Sequence, residues 1–460
     1  MSLKRISRRE SLRLAALAGG AWAFASCTPK PPATTPATPV EPTAAAVATE
    51  PPPETASIRF WFYWGGFWGE AMTKIAQTFQ EQNPHIQVEA TSTSGEWQKV
   101  LAAFAAGNPP DVLLDFTGSQ LVPRDQVLAL DDMIASSSAI RPDNYYPAML
   151  EAFRWNGVQY GIPAGEAGVD MALIINKGLA AEAGLDADNP PQTLTEMLDW
   201  ARKMTKVGEG GVLSQIGFDP LDGTIGAGFY NYGALWGINW WDAETKTFHL
   251  LELAEPIRWL AHWIKEYGAV NFESFRAGFG GWLEPDSSMC MGLQGMHING
   301  YWTPGELFHK AAKGQEFAYA WVPVPDNREG VKVQSSLPTG CFLPKPAKAP
   351  AASFKFMEFL ASDDANQIAF DMAGGFCWTK SFLQKVDVRK YPGLDFYVRS
   401  IAEADELYSN VQNCPLGWDF QFNQFLAAAN AVIYDGKEPE EALQQAQKAC
   451  EEELAKLLRG

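Results

Sequence analysis

Between residues 58 and 114 the apolar positions change period four times, and the changes spell a βαβαβ order. Ile58-Arg59-Phe60-Trp61-Phe62-Tyr63 is a short apolar run suited to a buried strand, and Trp64-Gly65-Gly66 breaks it. Trp68, Met72, Ile75 and Phe79 then recur every three or four residues, which predicts an amphipathic helix ending near Asn83-Pro84. Ile86, Val88 and Ala90 alternate as a second strand. Trp97, Val100, Leu101 and Phe104 form the next helical stripe, which stops at Gly107, and Pro110-Asp111-Val112-Leu113-Leu114 is a third strand. Such an order implies a parallel sheet with helices on both faces.

A second region repeats the alternation. Trp155-Asn156-Gly157 reads as a tight turn before Tyr160-Gly161-Ile162-Pro163, and Met171–Ile175 as a buried strand. Thr193-Leu194-Thr195-Glu196 is a capping box opening a helix that reaches Met204. Gly233–Trp241 is Gly-rich and shows no helical period. Pro256–Tyr267 is a helix closed by Gly268, Phe317–Val324 a strand, and Leu343 begins a return to α/β structure through 354–360 and 368–372 that ends at Gly374-Gly375. Two more helices, 418–434 and 440–458, close the chain. The pattern predicts two α/β lobes with more than one crossing between them.

The first 56 residues lie outside this pattern. Met1–Arg13 is basic and contains Ser7-Arg8-Arg9-Glu10-Ser11-Leu12-Arg13, near the twin-arginine export pattern. A short apolar stretch then ends at Ala25-Ser26-Cys27. Residues 1–26 therefore read as a lipoprotein export signal and Cys27 as the lipidated residue. Residues 27–56 are rich in Pro, Thr and Ala and too poor in large apolar side chains to fold; they read as a disordered linker. The chain carries −18, and residues 1–26 hold five basic side chains and one acidic, so the exported part carries −22. That surface argues against nucleic acid as a partner. Cys290, Cys341, Cys377, Cys414 and Cys450 are scattered without C-x-x-C or a His at zinc spacing, and Asp219-x-x-Asp222-Gly223 lacks the later glutamate of a calcium loop. No metal or other cofactor is expected.

The order Trp61–Gly66, Phe79-x4-Pro84, Ala105-Ala106-Gly107-Asn108-Pro109-Pro110-Asp111-Val112, Leu128-x-Leu130-Asp131-Asp132, Gly161-Ile162-Pro163 and Asn176-Lys177-Gly178-Leu179 resembles extracellular solute-binding proteins of the family-1 type. These are the sugar-capture subunits of ABC importers, akin to maltose-binding protein. The likeness continues through Pro191–Met197, Met296–Trp302, Ala351–Leu360 and Gly436–Ala442. It departs at Ile174-Ile175, where the family often has paired tyrosines. The resemblance implies a two-lobed, type II periplasmic-binding-protein-like fold, each lobe a mostly parallel sheet flanked by helices, joined by a multi-crossing hinge. Lobe 1 would comprise 57–162 and 330–376 and lobe 2 163–329 and 377–460, with crossings near 161–165, 324–329 and 374–380. It further implies a monomer, lipid-anchored on the periplasmic or cell-surface side of the membrane, that binds a saccharide between the lobes and hands it to ABC permease subunits without catalysis. A binder of another small solute, such as a polyol phosphate or a peptide, and an exported glycosidase are the alternatives.

Ligands of α/β sheets collect beyond the C-terminal strand ends, which makes Trp64-Gly65-Gly66 and Asp115-Phe116-Thr117 natural site loops. A sugar needs flat aromatic faces for its C–H surfaces and carboxylates or amides for its hydroxyl protons. The exported part has 16 tryptophans. On these grounds the candidate ligand-binding residues are Trp64, Asp115, Thr117, Glu166, Trp236, Tyr301, Trp302, Trp378 and Trp418. Trp302 also aligns with a stacking tryptophan of maltose-binding proteins. The competing roles are core packing for the tryptophans and turn or cap formation for Asp115.

Overall fold

The computed structural model describes residues 55–281, 284–312, 314–408 and 413–459. The export signal, Cys27 and the linker up to residue 54 lie outside the described residues. Among the described residues no helix is long and apolar enough to cross a membrane.

Ala56–Phe62 buries Ile58, Phe60 and Phe62 on one face. It lies between Ile86–Ser92 and Val112–Asp115, parallel to both, with Gly66–Gln82 and Trp97–Ala105 as the crossover helices. The sheet is extended by Gly340–Phe342, antiparallel to Val112–Asp115, and by Gly161–Pro163. Only Gly340–Phe342 is therefore reversed in this five-stranded sheet. In the second lobe the order is Phe317–Ala320, Ala172–Asn176, Gln294–Asn299, Leu213–Phe218, Lys206–Val207. Here only the pairing of Gln294–Asn299 with Leu213–Phe218 is parallel, so this sheet is more mixed than its partner. Ala172–Asn176 enters directly from a crossing out of the first lobe, and no crossover helix sets its direction. Ile174 and Ile175 on that strand are fully buried and present no side chain to a cleft.

Three segments run side by side between the lobes. Ala164 N–H donates to Thr339 O (3.2 Å), Thr339 N–H to Glu166 O (2.9 Å), Trp378 N–H to Ala167 O (2.8 Å) and Asp170 N–H to Ser335 O (3.0 Å). The crossings are thus 164–170, 335–339 and 376–378. The middle one falls after the expected 324–329, and Val333–Ser335 pairs with Glu406–Tyr408 and joins the second-lobe core. A separate aromatic cluster, including Tyr301, Phe376, Trp378, Tyr391 and Tyr397, packs around the crossings. Gly168 passes between two of these rings: a β-carbon there would lie 2.5 Å from Tyr301 and 2.7 Å from Trp378 Nε1. Gly168→Ala is expected to destabilise the protein by about 1–3 kcal/mol through overpacking, measured as a lower denaturation midpoint with an unchanged m-value.

The capping box at Thr193 forms with a shift of one residue. Thr193 Oγ1 accepts from Glu196 N–H (3.2 Å), and Glu196 Oε2 accepts from Gln192 N–H (2.8 Å). Residues 229–236, in and before the stretch expected to be irregular, form a helix, because Gly233 lets the backbone at Ile238 close against it.

Candidate functional site

The end of the first strand delivers Tyr63 and Trp64, and the end of the third delivers Asp115, Phe116 and Thr117. Tyr63 meets Phe116 edge-on at 5.0 Å between ring centroids, Trp64 meets Phe116 at 5.7 Å, and Trp64 is stacked at 5.3 Å on Trp68 from the following helix. Trp64 remains half-buried while Trp68 is buried, so the stack supports an indole that still has open surface.

Three carboxylates converge on these rings from three elements: Asp115 from the strand end, Glu166 from the first crossing and Asp419 from the start of the 418–433 helix. All three act on the Tyr63 hydroxyl, whose pKa is pushed up to about 12 by burial and then by Asp115, Asp419 and Glu166. Asp115 is 1 % exposed. Burial raises it to about 7 against the opposing pull of the Thr117 N–H, which donates to Asp115 Oδ1 at 2.7 Å. Glu166 is 6 % exposed and burial raises it to about 8, the Trp64 indole N–H being the group that favours its charged form. Burial also raises Asp419. Among the described residues, no lysine, arginine or histidine contributes to the shift of any of the three.

The second lobe closes onto this group at Gly417. A β-carbon there would strike the Gln120 amide and the Thr117 methyl, so the two lobes touch at this point. The next residue, Trp418, is half-buried, stacks on Phe422 (5.2 Å, 4°) and faces the Tyr230 hydroxyl. Tyr230 in turn faces Asp170, a fully buried carboxylate raised to about 6 by desolvation. The Ser335 hydroxyl bonds both Asp170 and Asn231, which ties this corner of the cleft to the middle crossing.

The expected residues therefore divide. Trp64, Asp115, Thr117, Glu166 and Trp418 are brought together. Trp302 follows the C-terminal end of strand Gln294–Asn299, half-buried, with its ring over Gly300 and edge-on to Tyr301 at 5.6 Å. Tyr301 and Trp378, expected at the ligand, are fully buried beneath the crossings. Their rings lie 5.1 Å apart, and Glu166 acts on the Tyr301 hydroxyl from above. Trp236, also expected there, packs on Tyr232 and Trp259 in the second-lobe core. Three residues of the candidate site are not among the expected ligand-binding residues: Tyr63, Asp419 and Phe116, the last lying within an expected site loop. Each is the sequence neighbour of a residue that is, and that adjacency is the signal that points to them. The Asp219 region is an internal network: Asp219 accepts from Arg276 Nε at 2.6 Å, and Asp222 lies 3.3 Å from buried His297. Among the described residues no cluster is arranged to hold a metal ion.

The fold recurs in solved structures. A protein solved with mannobiose bound, CpMnBP1, superposes with a TM-score of 0.76 at 23 % identity, over 86 % of this chain and 100 % of that one. The maltose/maltodextrin-binding domain MalE from Bdellovibrio bacteriovorus, bound to maltotriose, gives 0.67 at 18 % identity over 87 % and 100 %. Among curated sequences, the sn-glycerol-3-phosphate-binding periplasmic protein UgpB of Escherichia coli (strain K12) is 23 % identical over 158 residues. That match spans 33 % of this chain and only 36 % of the relative's own length. The family model for bacterial extracellular solute-binding proteins matches residues 68–367, about two thirds of the sequence. The chain belongs to the bacterial extracellular solute-binding protein family.

Proposed function

We propose that the protein is the saccharide-capturing subunit of an ABC importer. It would bind a mono- or oligosaccharide between the lobes and present it to the permease, held outside the membrane as a monomer through lipidated Cys27. The observation that carries this reading is the pairing of a supported, half-open Trp64 indole with two buried carboxyl groups, Asp115 and Glu166, and a half-buried third, Asp419, to whose shifts no cationic side chain among the described residues contributes. The indole offers a face for a pyranose ring. The carboxylates offer acceptors for hydroxyl protons, in charge-assisted hydrogen bonds stronger than neutral ones. Trp302 and Trp418 complete the aromatic lining from the second lobe. The saccharides bound by the structural relatives named above support the same reading.

The site disfavours the anionic solute named for the curated relative. A phosphate would enter a desolvated cluster of carboxyl groups to whose shifts no arginine or lysine among the described residues contributes, so nothing described there is placed to receive its charge. It equally disfavours glycoside hydrolysis, which works by driving the pKa values of two carboxyls apart. Here burial moves Asp115 and Glu166 in the same direction. Isothermal titration with mannobiose, maltotriose and sn-glycerol-3-phosphate is expected to show saturable binding of a saccharide and none of the phosphate ester. Chromatography of the same mixtures is expected to show no smaller sugars. Binding of the phosphate ester alone, or release of monosaccharide, would replace this reading.

A further inference from the structure

Away from the cleft, two hairpin tips from opposite lobes touch. In the first lobe Arg154-Trp155 pairs with Val158-Gln159 around Asn156 and Gly157, both at positive φ (49° and 81°). This hairpin is rooted by Gln159, whose buried amide donates to Leu150 O (2.9 Å) and Gly161 O (2.7 Å). In the second lobe Trp241-Asp242 pairs with Thr247-Phe248. Trp241 and Phe248 anchor it in the core with ring centroids 4.6 Å apart, and Asp242 Oδ1 accepts from the N–H groups of Glu244 (2.8 Å) and Thr245 (2.9 Å). The Lys246 ammonium at this tip lies 4.8 Å from the centroid of the Trp155 ring.

Two further facts single out this contact. Lys246 has φ 58°, a left-handed conformation that glycine or asparagine adopts more cheaply. A side chain with reach and charge therefore stands where the turn itself favours neither. Trp155 is also held from a second side. With Phe153 and Ser119 of its own lobe and Asn413 and Pro415 of the other, it encloses a space of only about 10 Å³, at the lower limit for one water molecule. The 413–415 segment leads directly to Gly417 and Trp418 at the cleft.

We propose that Trp155 and Lys246 form a latch across the lobes, two positioning residues that stabilise the closed form and so set how long a captured solute stays, without touching it. This rests on the solute-binding reading above. Breaking an attraction made only in the closed state lowers the closed population and releases ligand faster, while encounter with the open form is unaffected.

The test compares Lys246→Ala, Lys246→Arg, Trp155→Leu and the Lys246→Ala/Trp155→Leu double variant in the full exported chain. Stopped-flow tryptophan fluorescence with mannobiose or maltotriose is expected to show dissociation about two- to fivefold faster for each single loss. Association should be unchanged, Lys246→Arg should behave as wild type, and the double variant should be no faster than the worse single one. Small-angle scattering without ligand supplies an arm independent of the saccharide: the radius of gyration should rise in Lys246→Ala and Trp155→Leu and not in Lys246→Arg. Failure of every sugar to bind would refute the saccharide reading and leave the scattering arm to decide the latch. Unchanged dissociation and dimensions in Lys246→Ala, or additive effects in the double variant, would overturn the latch itself.

Discussion

Replacing Trp64 by alanine should reduce saccharide affinity by at least about 100-fold, the largest loss of any single substitution in the cleft. Trp64 is the point at which three supports meet: Trp68 behind it, Phe116 at its edge, and the Glu166 carboxylate beside its N–H. An indole so held loses little conformational entropy on binding, which is the usual character of a dominant anchor. Truncation removes the stacking face and at the same time strips Glu166 of its described donor, so two contacts with the ligand weaken together. Effects above about 2 kcal/mol are ordinary for such anchors, and titration calorimetry would read the result directly. Trp64→Phe, which keeps a ring and drops the N–H, should fall between wild type and alanine. If Trp64→Ala bound sugar as tightly as wild type, the ligand would have to lie elsewhere between the lobes.

The legibility of this protein followed its periodicity. The first lobe was readable because strand and helix alternate there in clean periods, and the exposed end of a strand beside two glycines marks Trp64 without any structure. Tyr63 was hidden by the same run, since it continues the apolar strand and reads as its last core residue. The middle crossing was missed for a different reason. Gln334-Ser335-Ser336 is polar and reads as a surface loop, yet all three are fully buried. The side chains of Gln334 and Ser335 are met within the fold: Gln334 bonds the Met171 backbone in both directions (3.1 and 3.0 Å), and Ser335 bonds Asp170 and Asn231. Polarity predicts exposure only while partners are absent, and those partners lie about 100 to 165 residues away in sequence. Trp236, Tyr301 and Trp378 pack against other aromatic rings rather than beside Trp64, and the sequence does not separate the two placements, because an aromatic residue near glycine has the same signature whether it lines a cleft or fills a core. Only three-dimensional packing separates the two.

Glu166→Gln should make the unliganded protein more stable at pH 8 while weakening sugar binding about 10- to 100-fold. Burial raises the Glu166 carboxyl from 4.5 to about 8, so the folded state holds its proton more tightly than the unfolded chain does. Between these values the folded state carries the extra proton. The associated stability is complete below about pH 4.5 and is lost as pH rises through about 8. A displacement of this size corresponds to at most about 5 kcal/mol, and relaxation of a site that opens to solvent reduces it to a few. Glutamine keeps an oxygen for the Trp64 N–H and needs no charge, so the variant should lose most of the decline. A smaller slope due to Asp115, which burial raises from 3.8 to about 7, should remain. Thermal unfolding at pH 5 and pH 8 measures this: the wild type should lose several degrees more than the variant, and equal losses would remove Glu166 as the source. The weaker binding, read at pH 8 or above where the carboxyl is at least half ionised, follows from the same group, because hydrogen bonds to a charged acceptor contribute about 1.5–3 kcal/mol where neutral ones contribute about 1. On the proposed reading, the carboxylate that costs stability in the empty cleft accepts hydroxyl protons when the cleft is filled, and the two effects of Glu166→Gln test both halves of that statement.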